Sequence, residues 1–157
     1  MKIFKYLIPA LVFTASCQSE PSNKAASKEV AENMDHEKTL VLPWNVQIND
    51  STHRMEIRRD PAADMTNLQP EDIVDAINLK YPEIKLTWVK LEGIKAYVNI
   101  ADASYLTQRT GSEGAQAYLA EATYSLTELD GIAEVEFSFK EGDHARPGIY
   151  KRSNFEF

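Results

Sequence analysis

Alternation of apolar and polar side chains along short segments is the feature of this sequence that most constrains its fold. In IAEVEFSF, residues 132–139, Val135 and Phe137 fall on one side of an extended chain, whereas Glu134 and Glu136 fall on the other. Such a strand belongs to a sheet that is covered on one side, because strands buried on both faces are apolar throughout. The pattern therefore predicts a sheet with one face exposed to water.

Four other segments alternate in the same way and are predicted to be strands. WNVQI and HRMEIRR, separated by the turn residues NDST, predict a hairpin over 44–59. EIKLTW, 83–88, and IKAYVNI, 94–100, follow, and Gly93 marks the turn between them. The residues of the last segment that are expected to face inward are Ile94, Ala96, Val98 and Ile100.

Two segments have the spacing of apolar side chains that is typical of amphipathic helices. The first is QPEDIVDAINLKYP, in which Pro70 suits the first turn and Pro82 stops the helix. The second runs over 112–129, with Ser112 as the expected N-cap. Strands and helices together predict an α+β fold, a two-layer domain with a mostly antiparallel sheet and two helices packed on one face.

The amino terminus has the pattern of an export signal. MKIFKYLIPALVFTASC begins with Lys2 and Lys5, continues with an apolar run from Tyr6 to Phe13, and ends in small residues before Cys17. The apolar run is much shorter than the roughly 20 residues that a membrane-spanning helix needs. Residues 1–16 are therefore predicted to be a signal peptide.

The residues TAS before Cys17, which is the only cysteine of the chain, resemble the lipobox of bacterial lipoproteins. Thr14 stands where that family usually has leucine or another aliphatic residue. The resemblance implies that Cys17 becomes the first mature residue and carries the lipid, and Gln18, which is not aspartate, favours the outer membrane. The alternative is a plain secretory signal cleaved near Ser16, which leaves a free thiol.

The segment after the cysteine differs sharply in composition from the rest of the chain. Residues 18–38 carry almost no apolar side chains and are predicted to be a disordered tether. The predicted organisation is thus a signal peptide over 1–16, a lipidated cysteine with its tether over 17–38, and one folded domain over 39–157. The formal net charge of −7 argues against nucleic acid as a partner, because phosphate binding needs a basic face.

Part of the folded domain resembles the GerMN domain, a module named after a spore germination protein. The resemblance lies in LEGIKAYVNIADASYLT and AEATYSLTELDGIAEVEFSFKEG, with its motifs at 98–100, 125–127, Gly131 and 135–137. The family's Pro-x-Gly-Thr is not matched by YPEIKLTWV. Membership implies a non-catalytic envelope module without a cofactor, similar in fold to ring-building modules of bacterial secretion and sporulation complexes.

The segment EGDHARPG, 141–148, concentrates the residue types of an active site. His144 would be a general base, Asp143 or Glu141 its orienting acid, and Arg146 an anion clamp. Adjacent side chains of an extended chain point apart, and the glycines and the proline are typical of turns. We therefore expect a turn whose Asp143, His144 and Arg146 contact a partner.

The polar face of the predicted sheet is the second candidate for partner binding. Tyr97, Asn99, Glu134 and Glu136 are expected to share this face. The two glutamates also leave open a glycosidase-like pair of carboxylates, although such pairs are more often the solvated side of a strand.

Metal and phosphate sites are not predicted. His36, His53 and His144 are far apart in the sequence, without the spacing of metal ligands. TGSEGAQ, 110–116, lacks the lysine of a phosphate-binding loop. We expect no cofactor.

Together these patterns predict a non-catalytic cell-envelope lipoprotein, held at the membrane by lipid on Cys17, that binds or assembles with an envelope protein. Homo-oligomerisation is left open as a further form of assembly. The alternatives are an envelope hydrolase that uses carboxylates or His144, and a module that binds glycan or peptidoglycan.

Overall fold

A computed structural model describes residues 41–156. The predicted signal peptide, the predicted lipid-bearing Cys17 and the predicted tether lie outside these residues. The elements in chain order are β1 (Trp44–Ile48), β2 (Met55–Arg59), α1 (Pro70–Lys80), β3 (Leu86–Glu92), β4 (Lys95–Ile100), α2 (Ser104–Gln108), α3 (Gly111–Leu126), β5 (Glu134–Ser138), β6 (Gly148–Tyr150) and a 3-10 turn (Arg152–Asn154).

Four strands form the main sheet, in the order β3-β4-β5-β6. The outer pairs are antiparallel and the central pair, β4 with β5, is parallel. A parallel pair needs a crossover connection, which α2 and α3 provide. β3 and β4 are joined by a two-residue turn at Gly93 and Ile94, where Gly93 has a φ of +62° that glycine adopts readily. The predicted α+β class and the mostly antiparallel sheet are confirmed.

The core lies between this sheet and the helices. Ala96 and Val98 of β4 and Val135 and Phe137 of β5 are all at most 1 % exposed, as their alternation predicted. The apolar stripe of α3 packs on the same side, with Tyr118 fully buried. The opposite face of the sheet carries the polar residues of the same strands. This arrangement leaves one face of the sheet free of helices among residues 41–156.

The predicted hairpin, β1 with β2, is confirmed as a separate two-stranded sheet. It packs on a second stripe of α3, where the Val46 N–H donates to Glu121 and the Trp44 ring meets Tyr124 edge-on at 5.2 Å. α3 is therefore enclosed by strands on two sides. The sequence did not predict this second contact, because the stripe that makes it contains two glutamates, Glu121 and Glu128, and resembles a solvated face.

Several local expectations differ from the structure. The strand expected at 83–88 lies at Leu86–Glu92, and the helix expected to run to residue 129 ends at Leu126. Ile94 is 58 % exposed, because it lies in the turn before β4 and not in the strand. Ser112 is not the N-cap of α3, since the helix begins at Gly111 and Thr110 holds the capping position. The short helix α2 runs almost directly into α3 and sets this start. The strand β6 was not predicted.

None of the helices within residues 41–156 is both long and apolar enough to cross a bilayer.

Candidate functional site

The four residues predicted on the polar side of the sheet share one surface. Tyr97 of β4 is in register with Glu136 of β5, Lys95 with Glu134, and Asn99 with Ser138. Strand β3 adds Lys90 opposite Tyr97 and Glu92 opposite Lys95, and β6 adds Ile149 opposite Glu136. We call this surface the open sheet face, and it consists of Lys90, Glu92, Lys95, Tyr97, Asn99, Glu134, Glu136 and Ile149.

Tyr97 lies at the centre of the open sheet face between two lysines. The Lys90 and Lys95 ammonium groups are 4.7 and 5.0 Å from the centre of its ring. Contacts of this kind are attractive because the face of an aromatic ring is electron-rich. The ring is therefore held in a defined position although it is not buried in the core.

The charged residues of the open sheet face are in ion pairs, two of them within the face and one, at Glu134, with Lys151 just after β6. Lys90 contacts Glu92 at 2.9 Å, Lys95 contacts Glu136 at 3.0 Å, and Lys151 contacts Glu134 at 3.0 Å. The hydrogen bond to Glu136 raises the pKa of Lys95, and the hydrogen bond from Lys90 lowers the pKa of Glu92. Both glutamates of the predicted carboxylate pair thus take part in ion pairs, an arrangement typical of a solvated sheet face.

The segment 141–148 forms the connection between β5 and β6. The His144 N–H donates to the Thr107 carbonyl at 3.1 Å, and the Gly142 N–H donates to the Ala145 carbonyl at 3.2 Å. Gly142 lies so close to α2 that an added Cβ would be 2.6 Å from the Thr107 side chain. Only glycine fits there without displacement, so this turn is anchored on α2.

The predicted loop residues line an open cleft of about 400 Å³ on the helical side of the sheet. We call it the loop cleft, and its polar lining consists of Ser112, Gln116, Asp143, His144, Arg146, Tyr150 and Asn154. Asp143, His144 and Arg146 are thus brought together in one cleft. They do not form one site with Tyr97, Asn99, Glu134 and Glu136, which belong to the other side of the sheet.

Within the loop cleft, His144 contacts a serine that the sequence did not connect with it. Its Nδ1 lies 3.4 Å from Ser112 Oγ, and the two residues are 32 positions apart in the chain. Arg146 pairs with Glu141 at 3.1 Å while its side chain is 81 % exposed. The sequence offered Asp143 or Glu141 as the orienting acid of an active site and favoured a turn instead; no local spacing indicated this serine–histidine contact.

Glu121 of α3 and Glu128, two residues after its end, each form a polar cluster that the sequence did not predict. Glu121 is 1 % exposed and accepts hydrogen bonds from Lys80 Nζ at 2.8 Å and Tyr81 Oη at 2.7 Å, besides the Val46 N–H. The cluster joins α1, α3 and β1. A buried carboxylate with this many partners stabilises the packing of those elements.

Glu128 forms the second cluster, just beyond the end of α3. It accepts hydrogen bonds from Trp44 Nε1 at 3.0 Å, Arg59 Nε at 2.9 Å and an Arg152 guanidinium nitrogen at 2.7 Å. Burial alone would raise the pKa of Glu128, but the bonds from Arg152, Trp44 and Arg59 outweigh it and hold the pKa at about 2. This carboxylate connects the hairpin, α3 and the carboxyl-terminal segment.

In the part of the chain that the structure describes, no three histidine, cysteine, aspartate or glutamate side chains come together as a metal site. Comparison of the chain with models of known protein families, with curated proteins and with solved structures finds no match. The resemblance to the GerMN domain therefore stays a prediction. The open sheet face and the loop cleft are the two surfaces of the described residues that bear on function.

Proposed function

We propose that this chain is a lipid-anchored cell-envelope protein whose folded domain binds a partner protein through the open sheet face. The observation that carries the proposal is the one-sided packing of the main sheet. The described helices all pack on one face, and the other presents an ordered array of side chains centred on Tyr97.

The chemistry of the open sheet face fits protein recognition. Aromatic residues are enriched at interfaces, and a ring that is already fixed loses little conformational freedom on binding. The three lysine–glutamate pairs neutralise each other, so a partner does not meet an uncompensated charge. Ile149, 48 % exposed at the edge of this face, adds apolar surface.

The membrane anchor is the second part of the proposal. The segment TASC and the acyl chains expected on Cys17 support stable attachment, because several chains bury many methylene groups. The polar segment 18–38 supports a tether between the lipid and the domain. Similarity to the GerMN domain supports an assembly role without catalysis, and Gln18 supports the outer membrane.

Variants of the open sheet face test the proposal. Tyr97→Ala and Glu136→Lys in the full-length chain are expected to abolish co-purification of the envelope protein that is crosslinked to the wild type. Glu83→Gln, an exposed change between α1 and β3, serves as the control and is expected to retain it. Retention of the partner by both face variants, with normal folding, would refute the assignment of this surface.

A hydrolase is the second candidate, and the Ser112–His144 contact in the loop cleft is the observation that favours it. A hydroxyl beside an imidazole is the pair that activates a serine nucleophile. Turnover of cell-wall fragments that disappears in both Ser112→Ala and His144→Ala would establish this function. Absence of turnover by the wild type would rule out the hydrolase function.

A further inference from the structure

A groove of about 510 Å³ lies beside the β3–β4 hairpin, and its polar lining residues are Asn67, Gln69, Glu128 and Asp130. We call it the edge groove. It is bounded by the segment before α1, the β3–β4 hairpin and the segment after α3, and its apolar lining consists of Met65, Leu68, Pro70, Leu91, Leu129 and Ile132. Leu91 is 45 % exposed and the neighbouring Ile94 is 58 % exposed. Large apolar side chains are thus presented to solvent beside a concave surface.

The edge groove lies next to β3, whose first residue already has its outward backbone groups hydrogen-bonded. β3 is the outermost strand of the main sheet. At its start, the Leu86 N–H donates to Asn78 Oδ1 at 2.8 Å, and Asn78 Nδ2 donates to the Leu86 carbonyl at 2.9 Å. The side-chain amide pairs with both backbone groups of Leu86, as a neighbouring strand would. This capping prevents strand addition at that end.

The other end of β3 has no such cap among residues 41–156. The two-residue turn makes Glu92 and Lys95 a hydrogen-bonded pair, so the next pair, Leu91 with Ala96, is a non-hydrogen-bonded one. The N–H and C=O of Leu91 consequently point away from β4, toward the side where no described strand lies. Leu91 therefore offers outward backbone groups and an apolar side chain at the edge groove.

Acidic residues predominate around the edge groove. Asp130 and Glu128 line it, Glu128 is paired with Arg59, and the exposed Asp64 and Glu71 are the chain neighbours of the lining residues Met65 and Pro70. A hydrogen bond from Thr66 lowers the pKa of Asp64 and keeps it ionised. The Lys90 ammonium of β3 is paired with Glu92. An occupant that complements this rim carries positive charge.

We propose that the edge groove binds an extended, basic segment of a partner protein, which adds as a strand beside the last residues of β3. Its backbone would pair with Leu91, one apolar side chain would enter the groove, and flanking lysine or arginine residues would meet Asp64, Glu71 and Asp130. This site borders the open sheet face at Lys90 and Glu92, but it rests on the groove and on the backbone of Leu91 and does not depend on the assignment of that face.

A peptide titration of the full-length chain tests the proposal. The probe is a nine-residue peptide of alternating valine and threonine between lysine pairs, with binding followed by calorimetry and by backbone amide shifts. We expect saturable binding with shifts at Leu91 and its neighbours. A peptide with glutamates in place of the lysines, or with proline at its centre, is expected to bind at least about tenfold more weakly.

Two variants and one matched control localise the binding. Leu91→Lys and Asp130→Lys are each expected to weaken the lysine peptide at least about tenfold, and Asp130→Lys is expected to strengthen the glutamate peptide. Leu79→Lys, at an exposed apolar position near the end of α1 and outside the surfaces named above, is expected to leave binding unchanged.

Three results would overturn the proposal. The first is absence of saturable binding of the lysine peptide by the wild-type chain. The second is equal binding of the lysine and glutamate peptides. The third is concentration-dependent self-association in ultracentrifugation that Leu91→Lys abolishes, which would assign the groove to a second copy of this chain.

Discussion

Replacing Glu128 by glutamine tests how the hairpin and the carboxyl-terminal segment are held on α3. The carboxylate contacts Trp44, Arg59 and Arg152, which lie in three different segments. Glutamine keeps the size of the side chain but removes the charge. Both guanidinium groups would then lose their counter-charge, and their hydrogen bonds would become the weaker neutral kind.

The expected magnitude follows from the pKa of this group. The fall of the pKa from its ordinary 4.5 to about 2 corresponds to at most about 3 kcal/mol of folding free energy at neutral pH. Because the folded-state pKa is lowered, this stability is complete above pH 4.5 and is lost as the pH falls toward 2. Solvent screening of the exposed fifth of the side chain reduces the value to about 2 kcal/mol.

Urea unfolding at a series of pH values between 2 and 7 is the assay. Glu128→Gln is expected to lower the free energy of unfolding by about 2 kcal/mol at pH 7, and the difference from wild type should shrink toward zero near pH 2. Glu83→Gln, an exposed carboxyl, is the control. A difference below about 0.5 kcal/mol at pH 7, or one that does not change with pH, would refute the reasoning.

Three further changes have defined outcomes. Glu121→Ala leaves the Lys80 ammonium and the Tyr81 hydroxyl without their buried acceptor, so the free energy of unfolding in urea should fall by about 3 kcal/mol. A fall of less than about 1 kcal/mol would contradict a stabilising role of this cluster. Gly142→Ala places a methyl group 2.6 Å from Thr107 and should lower the free energy of unfolding, measured by thermal denaturation, by about 1–3 kcal/mol. An unchanged free energy would contradict the close packing of this turn on α2. Cys17→Ser should move the full-length chain from the membrane to the soluble fraction, and continued membrane association would argue against lipid on this residue.

Local periodicity was enough to predict three strands of the main sheet and their exposed side, but not β6. Val135, Phe137, Ala96 and Val98 are buried where a period of two placed them. That period depends only on the alternation of side chains along an extended strand, so it can be detected in a single sequence. To predict that Tyr97 and Glu136 share a surface, only one further assumption was needed, namely that their strands are neighbours.

Contacts between distant residues could not be predicted in the same way. Trp44 and Glu128 are 84 positions apart, and Ser112 and His144 are 32 apart. No short-range spacing indicates such pairs, because they arise from the way whole elements pack. The sequence therefore indicated no partner for Glu121 or Glu128, and the serine of the loop cleft was expected only as a helix cap.

The most direct test of partner binding through the open sheet face is a photo-crosslinking amino acid placed at Asn99 of the full-length chain in intact cells. Asn99 lies on this face beside Tyr97, and the same probe at Glu83 reports on a surface outside it. Our account predicts that the Asn99 probe crosslinks one defined envelope protein and the Glu83 probe does not. Equal crosslinking from both positions, or none from Asn99, would contradict the proposed role of this face.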